Sequence, residues 1–446
     1  MGKTYRPYLP EQDLLLPPSL RDWLPEGHLA YFVSDLMDAL DLSAIESYYE
    51  EEERGYPPYH PRMMTNILVY GYCVGVFSSR KLQKRLQEDV AFRMLAAGNK
   101  PDFRTLSDFR KIHLGRLQGL FEQVLRMALE MGALKLGRVA IDGSKLKANA
   151  SKHKAMSYKR MKEEPKRLRQ EVRRLLQEAE RIDAEEDARY GRNNSGEELP
   201  AELQRREERL KRIRAAKRAL EERARQEAAA QAQEPPEQNG QGEEKPAKPE
   251  ERVKPKEKAQ YNFTDPESRI LKGPDGFLQG YNAQIAVEPV LQLIVGQAVV
   301  QAANDKKQLL PMIATVEEQS GQKPKQVLAD SGYTSDASLK EVEEAQVDAY
   351  LAVARDQHNR RSGPCPRGPL PQGATRTDRM RRKLQTQGGR AIYAARKTIV
   401  EPVFGQIKQA RGFRQFLLRG LEKVQGEWAL VCMAHNVLKL HRVVCT

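Results

Sequence analysis

Three acidic residues stand where their neighbours make them chemically useful. Asp142 follows the apolar run Val139-Ala140-Ile141 in GRVAIDGSKLKANAS (137–151), and Ser144, Lys145, Lys147 and Asn149 crowd behind it. Asp330 follows a second apolar run in QVLADSGYTS (326–335). Glu401 lies in AIYAARKTIVEPVFGQIKQARGFRQFLLRG (391–420), inside a window, Arg376–Arg419, that holds twelve Lys/Arg against two acids, a net charge of +10. Two carboxylates at the ends of buried strands, plus one in so basic a segment, suit hard divalent cations set among phosphate contacts. Mg²⁺ takes one or two carboxylates from protein and completes its shell with water and phosphate. Two such ions about 3.5–4 Å apart would activate water or a 3′-hydroxyl and stabilise the leaving oxygen. Singly, each acid has a simpler reading: Asp142-Gly143 and Asp330-Ser331-Gly332 as turns or a helix cap, Glu401 as an ion-pair partner of Lys397 and Lys408.

The chain around them is 446 residues long and basic, with Lys+Arg 75, Asp+Glu 61 and a net charge of +14. That balance raises the odds of a polyanionic partner. No window of about 18 uncharged apolar residues suggests a membrane span, and the first twenty residues lack the apolar core of a signal peptide. Four widely spaced cysteines, Cys73, Cys365, Cys432 and Cys445, read as reduced thiols of a cytoplasmic protein, with no zinc knuckle or disulfide framework. His60, His153 and His435 have no metal-ligand spacing.

Residues 1–132 read as helical. Apolar spacing predicts helices over His28–Leu42, Met63–Phe77, Arg80–Gln87, Thr105–Ile112 and Gly115–Met131. Within Arg62–Arg116, eleven Lys/Arg face four acids, a net +7, which suits a helix-turn-helix-like DNA-binding module or a bundle with a solvated basic face. Residues 133–151 hold the first strand of an α/β unit. Residues 152–260 are charged and rich in alanine. Leu168, Val172, Leu175, Ala179 and Ile182 step by four and three, and Leu203, Leu210, Ile213 and Leu220 repeat the idea, which predicts an antiparallel coiled-coil hairpin followed by a disordered linker over 233–258. From 261 to 446 strands are expected at Tyr281–Val287, Leu293–Val300, Gln326–Ala329 and Ala349–Ala354. Helices are expected at Asp305–Gln319, with Asp305 as its cap, Ser335–Glu344, roughly 392–411 and 420–441; residues 355–391 read as loop. The fold class is α/β: a mixed-sheet catalytic domain interrupted by a helical insert and preceded by an all-helical DNA-binding domain.

Taken together, AIDGSKLKANAS, VLADSGYTS and RKTIVEPVFGQIKQARGF resemble the three acidic motifs of the DDE transposases of bacterial insertion sequences, in the group with a Tyr-Arg-Glu-Lys signature. HPRMMTNILVYGYCVGVFSSRKLQKRL and PDFRTLSDFRKIH are similar to their N-terminal domain. The resemblance runs from about residue 14 to 441, the charged insert excepted. It implies an RNase H-like fold, with Asp142, Asp330 and Glu401 as a catalytic, metal-binding triad for two Mg²⁺ (Mn²⁺ substituting). It also implies double-stranded DNA as partner, both terminal inverted repeats and target, bound by a homodimer. Tyr393, Arg396 and Lys408 would contact the transposon end, joined by Lys145 beside the first acid and by Arg411 and Arg414 in the basic segment. The activity implied is cleavage at the element's ends and transfer of the 3′-hydroxyls to target DNA. A nuclease that no longer transposes, or an inactive protein occupying element ends, would be written in similar motifs. One spacing departs: the signature leaves three residues between its arginine and glutamate, and Lys397, not Arg396, has that spacing. On a continuous helix Lys397 and Lys408 fall within about 40° of Glu401, whereas Arg396 lies about 140° away. Lys397 and Lys408 are therefore expected beside the carboxylate, and Arg396 farther out.

Overall fold

The computed structural model describes residues 19–50, 57–190, 201–233, 254–273, 276–353, 365–366 and 368–445. The turn expected at 191–200 and most of the linker expected at 233–258 lie outside them.

Seven helices open the chain: α1 Leu29–Ala39, α2 Ser43–Glu50, α3 Pro61–Cys73, α4 Ser79–Glu88, α5 Val90–Leu95, α6 Phe103–Ile112 and α7 Leu114–Glu130. Their starts are written in side chains that accept orphan amides. His28 Nδ1 accepts from Ala30 N, His60 Nδ1 from Arg62 N ahead of Pro61, Asp89 from Ala91 and Phe92, and Asp102 from Arg104 and Thr105. Sequence periodicity misses α2 and α5 because each is too short to show a repeat.

The sheet is mixed and six-stranded: β1 Arg138–Lys147, β4 Arg269–Gly273, β5 Gly276–Val287, β6 Ile294–Val300, β7 Gln326–Ala329 and β8 Asp348–Leu351. Its order is β4-β5-β1-β7-β8, with β6 also beside β5. β5 pairs antiparallel with β1, β4 and β6, while β1–β7 and β7–β8 are parallel. A small second sheet, β2 Ala155–Ser157 with β3 Gln260–Asn262, stands at the foot of two long helices, α8 Tyr158–Tyr190 and α9 Ala201–Gln233. These pack on each other at their base around Met161, Leu168, Ile213, Ala216 and Leu220. The side chains of Leu175, Ala179, Ile182 and Leu203, on which the predicted seam also depends, lie outside the described set.

Helices α10 Leu309–Ser320, α11 Asp336–Glu344, α12 Arg376–Gln385, α13 Gln387–Gly405 and α14 Leu421–Cys445 complete the chain. α12 overturns the loop expected at 355–391. It buries no residue fully; Met380 and Leu384 alone pack against the core, too short a stripe to read, and a Thr375–Asp378 capping box and the Lys383–Asp348 ion pair add to their hold.

One hydrophobic cluster runs from α1 through the sheet to α14, and α14 is the hinge of that continuity. It packs on α3, α7 and β6. Its Asn436 binds both the N–H and the C=O of Ile294 at 2.8 Å, and Gln425 Oε1 accepts from Val299 N. From α10, Gln319 Oε1 accepts from Gln297 N. Side-chain amides thus occupy the outer edge of β6, which would otherwise offer unpaired backbone to another strand. Glu427, fully buried, accepts from Tyr72 OH at 3.3 Å and from Leu417 N and Leu418 N at 2.9 and 3.0 Å; Arg110 donates to the same tyrosine. Glu427→Gln presents an amide N–H₂ to one of these donors and is expected to cost about 2 kcal/mol, read from chemical denaturation. Among the described residues no helix is long and apolar enough to cross a membrane.

Candidate active site

Asp142 is not at a strand tip. β1 continues through it to Lys147 because β5 pairs with that whole length, Ala140↔Val287 to Lys147↔Gly280. What ends near Asp142 is the pairing on the other side: the parallel register with β7 stops at Ala140↔Leu328. Carried two residues past its last pair, that register points Asp142 toward Asp330, which follows directly on β7, and Asp330 is near enough to raise the pKa of Asp142. The runs beneath them, Val139-Ala140-Ile141 and Val327-Leu328-Ala329, are fully buried and fix both positions. Asp142 Oδ1 accepts from Gly143 N, and Asp330 Oδ1 from Gly332 N, both at 2.8 Å.

Glu401 comes from α13, which Thr386 caps and Ile399, Val400, Val403 and Phe404 bury against the sheet. Pro402 cannot donate to the Thr398 carbonyl, and Gln292 Nε2 takes that acceptor at 3.0 Å. Glu401 is 56% exposed. Arg396, expected farther out, is the residue that reaches inward. Its side chain is 8% exposed; Nη1 lies 3.3 Å from Asp142 Oδ2 and Nη2 3.9 Å from Glu401 Oε1. The helical angle was right, but a guanidinium is long enough to span it and planar enough to face two carboxylates. Tyr393 hydrogen-bonds to the same guanidinium. Lys397 is exposed on the outer face. Lys408 lies past the end of α13 in a π turn, Gln406–Ala410, whose wider winding voids the regular-helix angle. Its Nζ donates to Ser144 Oγ; burial lowers its pKa, against the pull of Asp142.

The other basic residues divide. Lys145 Nζ donates to the Lys272 carbonyl at 3.0 Å, and Arg414 is exposed, folded over Lys408 O and Gln409. Arg411 turns into the protein, donating to Val431 O at 3.1 Å, with Nη2 buried and unpartnered. Its guanidinium thus faces the protein interior, unlike the exposed Arg414. Asp305 corrects an expectation. It lies four residues before α10, not at its cap, and accepts from Asn282 Nδ2 and Gln284 Nε2 at 2.7 Å each. The legible signal was its place just after a strand that borders β5.

Burial raises the Asp142 pKa; Arg396 lowers it, Asp330 and Asp305 raise it, and the result is about 6. Burial is the largest of these causes, and the three aspartates offer hard carboxylate oxygens of the kind that suit a divalent cation. Among the described residues no three acidic, histidine or cysteine side chains stand close enough to hold one ion as they are. Asp142 and Glu401 both reach toward Arg396, at 3.3 and 3.9 Å, so an arginine lies between the two carboxylates, whose hard oxygens are the donor type a divalent cation takes. Because Asp142 must release its proton to ligate, apparent Mn²⁺ affinity is expected to be flat above pH 6 and to fall about tenfold per unit below it, measured by titration calorimetry at several pH values.

Comparison with known families agrees with this geometry. Residues 18–112, α1 to α6, match a transposase domain family (DUF772), and residues 253–437 match the transposase DDE domain. The second match contains Asp330 and Glu401 and begins after the α8–α9 insert, which separates β1 and Asp142 from it. No curated protein and no solved structure matches the chain. The DDE domain implies an RNase H-like fold and a requirement for divalent metal, and a six-stranded mixed sheet with three antiparallel and two parallel pairings accords with it. With one transposase domain in its helical region and the other around its later acids, the chain belongs to the DDE-type transposases of insertion sequences.

Proposed function

We propose that this transposase cuts DNA at the ends of its own insertion sequence and joins the freed 3′-hydroxyls to target DNA, with Asp142, Asp330 and Glu401 holding two Mg²⁺ (or Mn²⁺). The observation that carries the reading is the nearness of Asp142, within β1, and Asp330, just past the end of the parallel strand β7, over a buried apolar base. Bound divalent ions would supply Lewis acidity to the attacking water or hydroxyl and to the leaving oxygen. The chain's own residues do the rest. Two rigid strands keep the aspartates side by side, and Glu401 on α13 closes the set from the third direction. Arg396 and Lys408 bring positive charge to the same spot, suited to the phosphate of the scissile strand, and Tyr393 orients the arginine. Lys145, Lys397 and Arg414 lie on exposed ground where a duplex can run, and the basic face of α3–α6 extends that ground. The enzyme is read as a homodimer on DNA, one protomer per transposon end.

The test is incubation of a supercoiled plasmid carrying the element's ends. Nicking and end-joining in Mg²⁺, absent in EDTA, support the reading; no cutting in either Mg²⁺ or Mn²⁺, or equal cutting in EDTA, sinks it. Cutting without joining would indicate a nuclease. Binding should be steeply salt-dependent, with a log–log slope of about 0.9 per phosphate neutralised. Lys397→Ala is expected to reduce that slope by about one unit and Arg411→Ala to leave it unchanged; the reverse order would contradict the sorting of exposed from inward-facing residues.

A further inference from the structure

Asp305 is held as a functional carboxylate is held, although none of the three acidic motifs contains it. Its Oδ1 is saturated by two neutral amides, those of Asn282 and Gln284. Gln284 is fully buried, and its Oε1 accepts from the hydroxyl of Tyr333, so the amide is oriented from both ends. Tyr333 is itself fully buried and follows Asp330 by three residues. Hydrogen bonds therefore run unbroken from Asp305 through Gln284 to the loop that carries Asp330.

Asp305 Oδ2 has no donor among the described residues. It faces Gly332, where a Cβ would lie 3.6 Å from it and 2.9 Å from Asp330 Oδ1. The missing side chain leaves open the space between the two carboxylates. At Gly143 a Cβ would overlap Gln284 Nε2 and lie 2.9 Å from Asp305 Oδ1 and 3.0 Å from Asn282 Oδ1. Asn282 is 1% exposed and that oxygen has no donor among the described residues, so an unsatisfied buried acceptor lies beside Gly143 and the Asp305 carboxylate. Clamping two amides needs only a neutral acceptor. A full negative charge beside Asp142 and Asp330 repels both and is offset when a cation is present.

We propose that Asp305 is a positioning residue of the cation site: Oδ1 locks the Gln284–Tyr333 brace behind Asp330, and the charged Oδ2 serves the water shell of the bound ion. An outer role agrees with the absence of three converging ligands, since Mg²⁺ and Mn²⁺ keep several waters. The inference rests on the reading of Asp142 and Asp330 as the cation-holding pair.

Mn²⁺ binding to the full-length protein without DNA, followed through the electron-spin resonance of free Mn²⁺ and paired with thermal melting, tests it. Asp305→Asn can keep both amide bonds through its oxygen while losing the charge. It is expected to bind Mn²⁺ about 10–100-fold more weakly, as outer-shell changes do, with the melting temperature of the metal-free protein unchanged or raised. Asp305→Ala should lose the same affinity and also melt lower. Gln284→Met, which frees Oδ1 but keeps the charge, should weaken binding less than either. Asp305→Asn binding within twofold of wild type, while Asp330→Asn binds weakly, would overturn the role of Asp305 and leave the site standing. If Asp330→Asn binds as wild type does, the site reading fails and the role of Asp305 falls with it.

Discussion

Protein carrying Asp142→Asn is expected to bind transposon-end DNA as tightly as wild type, or more tightly, and to cut it at least about 10³-fold more slowly. Removing one carboxylate ligand forfeits several kcal/mol of charge stabilisation at the reacting phosphate, and each 1.4 kcal/mol is about tenfold in rate. Binding survives because the substitution removes a negative charge that faces phosphate and leaves the strand untouched: asparagine has the same shape, and its oxygen can still accept from Gly143 N. Asp330→Asn should behave alike, since Asp330 stands just past the end of β7 and its charge bears on the same Asp142 carboxylate. Strand cleavage within tenfold of wild type by either variant, in Mg²⁺ and on the same DNA end, would remove that residue from the chemistry.

Arg396→Ala is expected to do more damage than Lys397→Ala, in stability as well as rate. The Asp142 side chain is about one-fifth exposed, and among the described residues its ion pair is with Arg396. Deleting one partner of a buried pair leaves an uncompensated charge, at about 3 kcal/mol here. The sign of the pH dependence follows from Asp142. Its folded pKa, about 6, already stands above the ordinary 3.8 and rises further when the arginine is gone. A protonated Asp142 needs no counter-charge, so the loss is small at pH 5 and grows as pH rises through 6 and beyond. Mn²⁺ should restore part of it, by occupying the place between Asp142 and Glu401. Denaturation of the two variants at pH 5 and 8, with and without Mn²⁺, reads all three effects. A larger loss at pH 5, or a Lys397→Ala protein that is the less stable of the two, would contradict the geometry.

The three acids stood out in the sequence because Asp142 and Asp330 each follow a buried apolar run and Glu401 is one of two acids in a basic segment. That β1 continues through Asp142 to Lys147 was not legible, because only its pairing with β5 sets that length. The helices of the N-terminal region were legible where an apolar stripe repeats over three turns. Helix α12 was not, because its apolar stripe is too short to read and a cap and an ion pair add to its hold. Nor was the role of Arg396, since angle along a helix says where a side chain starts and not how far it reaches. The inward turn of Arg411 was not legible because charge in a sequence does not reveal direction. Asp305 was missed because its partners, Asn282 and Gln284, come from a different strand, and only the fold brings them together.

The small β2–β3 sheet makes the chain return to where it left. Ser157 pairs with Gln260, and Tyr158 N donates to the Ala259 carbonyl at 2.8 Å, so the 102 residues between Ser157 and Gln260 leave and rejoin the domain through one stem. Closing a loop costs only about 0.6 kcal/mol more for each doubling of its length. By that measure a detour of this size costs the sheet that carries the aspartates only about 3 kcal/mol more than a four-residue hairpin turn. The stem is thus a socket: whatever α8 and α9 do can be lengthened, shortened or exchanged over evolutionary time while the distance from Asp142 to Asp330 stays the same.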